Sequence, residues 1–203
     1  MNRKWTTYMA LLVSIVLTLS TVGLPVLAQE AALDVGDKTN GFVVQERSRL
    51  DLVNADVTLL EHEKTGALLM LVQNEDTNRT YDISFRTPVE DDSGIPHVFE
   101  HATLGGSQKY PSKALFFNLI HQTYNTYMNA MTTDLITTYP VASLSEKQLL
   151  KYVDYYTDSV FNPSIMEDES IFREEAWRYA MADKDAPLTI AGTVYTEMQG
   201  AYS

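Results

Sequence analysis

The stretch His97-Val98-Phe99-Glu100-His101 limits this chain's options more than any other. Histidines four residues apart work together on a helix, where positions i and i+4 share a face and both imidazoles can reach one ion. Glu100, three residues after His97, falls on the same side, within reach of a water at that ion. The flanks support a helix. Glu90-Asp91-Asp92-Ser93-Gly94 is a polar break with acids suited to a helix N-terminus. Pro96 fits the first turn, and Gly105-Gly106 end the helix. The competing reading is an ordinary solvated helix face with satisfied histidines.

Around this helix the periodicity predicts strands and helices in alternating groups. Val57–Glu63 alternates, Lys64-Thr65-Gly66 makes a turn, and Ala67–Val72 is a near-continuous apolar run. Asn74–Asn78 is a polar turn, and Tyr81–Phe85 alternates strictly. Ser112–Thr123 reads as a helix, and Thr126–Met131 and Ile136–Val141 read as strands. Ser143-Leu144-Ser145-Glu146 has the spacing of a capping box, opening a helix that Asn162-Pro163 stops after Phe161. Further helices are expected at Glu167–Met181 and from Gly192 onward. The order of strands, helices, strands and helices predicts an α+β fold, a mostly antiparallel sheet packed with helices.

The chain has 203 residues, 45% of them apolar, which supports a packed core. Arg3 and Lys4, the apolar run Met9–Val22 and the small residues around Val26-Leu27-Ala28 read as a signal peptide over 1–28. Pro25 and the shortness of that run argue against an uncleaved anchor. Residues 29–40 read as a flexible mature N-terminus, and 41–203 as one zinc-binding domain. An exported protein is expected, extracellular or in the periplasm or cell envelope, with no membrane span after cleavage. Loss of residues 1–28, which hold Arg3 and Lys4 and no acid, would take the net charge from −12 to −14. Such a field does not attract nucleic acid. With no cysteine, a metal must be held by His, Asp or Glu, a set that suits zinc. Asn78-Arg79-Thr80 fits a glycosylation sequon.

Catalytic zinc takes three protein ligands and leaves one position open. His97 and His101 supply two. Glu167, Asp168, Glu169, Glu174, Glu175 and Glu197 are all candidates for the third, and spacing does not choose among them. His62 and His121 match no ligand position. The order H-x-x-E-H is that of the inverted zinc peptidases. Further blocks extend the match: Gly94–His101, Gly106–Pro111, Asn125–Thr132, Tyr139–Ser143, Phe172–Glu175, Trp177–Tyr179 and Val194–Ser203. Together they resemble the pitrilysin–insulinase family of metallopeptidases, and within it the presequence-protease and falcilysin branch.

That resemblance implies the metallohydrolase fold of the pitrilysin and mitochondrial processing peptidase type, with one Zn2+ per chain. It implies Glu197 as the third ligand and Glu100 as general base rather than ligand. Glu175 would support the site, and Asn129-Ala130 would face the peptide substrate from a strand edge. The implied activity is endopeptidase cleavage of unstructured peptides. Thr133-Asp134-Leu135-Ile136, Ala176 and Ala180 depart from the family pattern without touching the expected ligands. Members of this branch are much longer, two-halved clamshells. The resemblance therefore implies that this chain is an N-terminal piece, its domain incomplete, completed by a missing C-terminal half or a second chain. The alternative is a non-catalytic half that holds zinc or a partner.

Overall fold

The computed structural model describes residues 33–202, which form two compact units divided between Glu75 and Asp76. The leader expected over 1–28 lies outside the described residues. The first unit is an antiparallel sheet in the order β1-β2-β3-β4. Its strands are β1 (Lys38–Thr39), β2 (Phe42–Leu50), β3 (Ala55–His62) and β4 (Leu68–Gln73). Strand β2 is absent from the periodicity reading for a physical reason. Its pairing with β3 shifts between Val44 and Glu46, so the alternation breaks part-way along. In the second half of β3 the alternation survives, with Thr58 and Leu60 buried between more exposed neighbours. Every residue of β4 is exposed, from Leu68 to Gln73.

The second unit is built on β8 (Ile136–Ser143). It pairs on one side with β5 (Arg79–Arg86), and on the other with β6 (Tyr127–Met128) and β7 (Met131–Thr132), all antiparallel. The helices are α1 (Ile95–Leu104), α2 (Leu115–Gln122), α3 (Glu146–Phe161), α4 (Glu169–Glu175) and α5 (Thr193–Ala201). The expected α+β class with antiparallel sheets is thus the one observed.

Helix α3 lies on β5 and β8 and buries Leu149, Tyr152 and Tyr156, spaced as one helical face. These residues meet Leu104, Phe116, Met128, Ala130, Tyr139 and Val141 in the main core. The cap of α3 is Ser145, whose hydroxyl oxygen accepts from the Gln148 N–H at 3.4 Å. Ser143 is instead the last residue of β8, so the capping signal is shifted by two residues from its expected place.

A second, smaller core decides where the C-terminal elements go. Val98 of α1, Ala176 and Val194 of α5 are buried together, with Phe172 and Met198 against them. The helix expected over Glu167–Met181 stops at Glu175, because the chain turns at Ala176 (φ −77°, ψ −82°) to enter this cluster. Arg178–Ala180 then forms β9, paired with β10 (Thr189–Ala191).

Candidate metal centre

Helix α1 presents His97 and His101 with their ring centroids 5.0 Å apart. Val98, on another face, anchors the helix in the smaller core. Helix α5 is docked against the same core at close range. A Cβ on Gly192 would lie 2.2 Å from the Ala176 carbonyl oxygen, so only glycine admits this approach. The Tyr195 N–H then donates to that same oxygen at 3.3 Å. Two residues further on, Glu197 reaches the histidines. Its Oε2 lies 3.4 Å from His97 Nε2 and 3.4 Å from His101 Nε2.

Those separations are long for hydrogen bonds, which cluster between 2.7 and 3.2 Å. They match the edge of a tetrahedron whose arms are about 2.1 Å, the usual zinc–nitrogen and zinc–oxygen distance. Ligand atoms of all three residues lie within 4.8 Å of one another. The donor set of two imidazoles and a carboxylate therefore fits zinc. Of the other acids open as a third ligand, Glu174 lies 3.5 Å from the Lys113 amine. Asp168 caps α4 by accepting from the Ser170 N–H. Glu175 reaches the far side of a histidine instead: its Oε2 is 3.2 Å from His101 Nδ1. A carboxylate only accepts, so Nδ1 carries the proton and Nε2 keeps its lone pair for an ion. The same bond pushes the His101 pKa up, helped by the charges of Glu197, Glu175 and Glu100 and opposed by burial.

Glu100 is buried, 7% exposed, and its Oε2 accepts a 2.6 Å bond from the Thr132 hydroxyl. Sequence reasoning did not single out Thr132. Its distance from Glu100 in sequence hides the contact, which the packing of α1 against β7 creates. A cavity of about 650 Å³ opens over the site, with His97, His101, Glu197, Glu100, Glu175, Asn129 and Ala130 in its lining. His62 belongs to the first unit, its ring tilted against Phe42 with centroids 4.9 Å apart.

The rim at Asn129-Ala130 has a simple origin. Strands β6 and β7 share one register on β8, Tyr127 opposite Ala142 and Met131 opposite Thr138. They are one edge strand interrupted opposite Pro140. The Asn129 N–H donates to the Pro140 carbonyl at 3.1 Å. Proline has no N–H to return, so the Asn129 carbonyl accepts from the Tyr156 hydroxyl instead, at 2.8 Å. In an antiparallel ladder alternate residues face away from the partner strand. Asn129 directs its N–H at β8, so by this alternation the Ala130 N–H and carbonyl face away from β8.

Comparison with known proteins extends this picture. The family model for insulinase, peptidase family M16, matches residues 86–192. Protein HypA of Clostridium perfringens is 41% identical over 164 residues, 81% of this chain and 17% of that protein. The chloroplastic/mitochondrial presequence protease 1 of Arabidopsis thaliana is 43% identical over 163 residues, 80% of this chain and 15% of that protein. The mitochondrial presequence protease of Mus musculus is 36% identical over 172 residues, 83% of this chain and 16% of that protein. The crystal structure of pitrilysin superposes with a TM-score of 0.52 at 23% identity, covering 65% of this chain and 14% of that one, a likeness of fold. This chain therefore spans 15–17% of the length of these curated relatives. The expectation of an exported protein is corrected by the same relatives: two of the three are named for organelles, and none is named for secretion. Among the described residues no helix is long and apolar enough to cross a membrane. With 86–192 matched, more than half of its length, the chain belongs to the insulinase family of peptidases, peptidase family M16.

Proposed function

We propose that the natural protein is a zinc-dependent endopeptidase that cleaves unstructured peptides. One observation carries this reading: both imidazole Nε2 atoms converge on Glu197 Oε2 at 3.4 Å, with the Glu100 carboxylate on the same helix and in the same cavity. His97, His101 and Glu197 would hold the metal. Zinc, when bound, supplies a Lewis acid that acidifies water and polarises a carbonyl.

The chain's own residues do the rest. Glu175 fixes the tautomer and orientation of His101. An extended peptide adds to the open edge at Ala130, pairing its backbone with the outward N–H and carbonyl. Glu100, buried and on the histidine face of α1, takes the proton of the attacking water and passes it to the departing nitrogen. The peptide substrate also agrees with the presequence-protease names of the relatives.

The test is Glu100→Gln in the protein at its full natural length. Cleavage of an unstructured peptide is expected to stop while one zinc per chain remains. Normal cleavage by this variant would remove the base assignment. A second reading, a zinc-holding module without turnover of its own, is favoured by the 15–17% share of the relatives that this chain spans. Turnover by these 203 residues alone would sink it.

A further inference from the structure

We infer that Thr132 is a positioning residue for Glu100, held in place by a one-way chain of threonine hydroxyls. The inference rests on the reading of Glu100 as general base. Thr132 and Thr137 stand directly opposite each other on β7 and β8, with their hydroxyl oxygens 3.3 Å apart. Thr137, 3% exposed, lies 2.8 Å through its hydroxyl from that of Thr87, just past the end of β5. Thr132 touches Glu100 Oε2 at 2.6 Å.

Proton counting sets the direction of every bond. A carboxylate accepts and cannot donate, so the single Thr132 proton is committed to Glu100. Thr132 can then only accept from Thr137, and Thr137 only from Thr87. All three hydroxyls point the same way, toward the carboxylate, and aligned hydroxyls polarise one another. Glu100 has three side-chain torsions and would otherwise sample several rotamers. A bond to one carboxylate oxygen from a rigid sheet fixes the plane of the group and leaves Oε1 for the reacting water. Thr132 is well suited to this: a β-branched residue in a strand has a restricted χ1, so its hydroxyl is aimed before substrate arrives. Serine at the same position would supply the bond with less stiffness, and valine would keep the shape and supply no proton.

The experiment compares Thr132→Val, Thr132→Ser and Glu100→Gln in the protein at its full natural length. It measures kcat and KM on an unstructured peptide, zinc per chain, and Tm. Thr132→Val is expected to lower kcat by about ten- to a hundredfold, as loss of an orienting partner does, with KM, zinc content and Tm near wild type. Thr132→Ser is expected to recover most of the loss. Wild-type kcat in Thr132→Val, with Glu100→Gln inactive, overturns the positioning role and leaves the base assignment standing. Thr132→Ser falling as far as Thr132→Val also overturns it, because the hydroxyl is then not what matters. Loss of zinc or a collapsed Tm in Thr132→Val would make Thr132 a structural residue instead. Full activity in Glu100→Gln would remove the base reading itself, and this inference with it.

Discussion

Gly192→Ala tests how Glu197, the proposed third ligand, is delivered. The added Cβ would sit 2.2 Å from the Ala176 carbonyl oxygen and 2.7 Å from both Ala176 C and Trp177 Cα. All three are backbone atoms, so no side chain can swing aside. Ordinary contact begins near 3.4 Å, so α5 or the Ala176 turn must move by roughly 1 Å, at a strain of about 1–3 kcal/mol. Metal sites tolerate about 0.2 Å in ligand position. The start of α5 would therefore carry Glu197 out of reach of the histidines. Zinc affinity, read by competition with a chelator, is expected to fall at least about tenfold, about 1.4 kcal/mol, and Tm to drop. Gly200→Ala on the same helix is the control, since its Cβ meets nothing within 4 Å. That variant should hold zinc normally. If Gly192→Ala binds zinc as tightly as wild type, close docking at Ala176 does not position Glu197, and the reasoning fails.

Three other outcomes follow from the geometry. Glu175→Ala should lower zinc affinity by about ten- to a hundredfold by freeing the His101 ring, measured by the same competition. Tyr156→Phe should leave the Asn129 carbonyl without its donor and cost about 1–3 kcal/mol in denaturant unfolding. It should also raise KM for peptide by loosening the edge at Ala130. Asp158 accepts from the Ser107 hydroxyl at 2.6 Å, the Lys109 N–H at 2.8 Å and the Asn162 side chain at 3.0 Å. Burial pulls its pKa up, but these bonds outweigh it and hold the carboxyl below its usual range. With the folded pKa depressed, this stabilisation is complete above the unfolded value near pH 4 and is lost as pH falls through the folded value. Tm against pH should therefore fall more steeply below about pH 4 in the wild type than in Asp158→Asn.

The residues of this site were legible in the sequence to different depths. His97, Glu100 and His101 could be placed by helical spacing alone, because the helix converts a local pattern directly into a shared face. Glu197 could not be chosen from spacing, since its position depends on the close approach at Gly192, which no periodicity records. The family blocks pointed to it, and the structure brings its carboxylate to both imidazoles. Thr132 and Thr137 form a cross-strand pair, and Thr87, just past the end of β5, joins it through its hydroxyl. Nothing in a one-dimensional pattern links them to Glu100. Trp177-Arg178-Tyr179 continued an apparent helical period, but the burial of Ala176 beside Val98 and Val194 ended the helix first. Tertiary contact outweighed local preference there, as it did at the bulge in β2.

The proline in the middle of β8 also bears on how the chain finds its fold. An edge strand can slide along its neighbour during folding, and a slip of one residue would turn the core side chains Met128 and Ala130 outward. Pro140 carries a cost in any alignment. Whichever residue comes to face it loses a ladder bond, and an unmet carbonyl costs about 1–3 kcal/mol. In the native alignment, with Asn129 facing it, the Tyr156 hydroxyl makes good the loss. Burial of Met128 and Ala130 thus sets the alignment that puts Ala130 on the rim of the cavity, and the Tyr156 hydroxyl removes the cost of the proline at that setting.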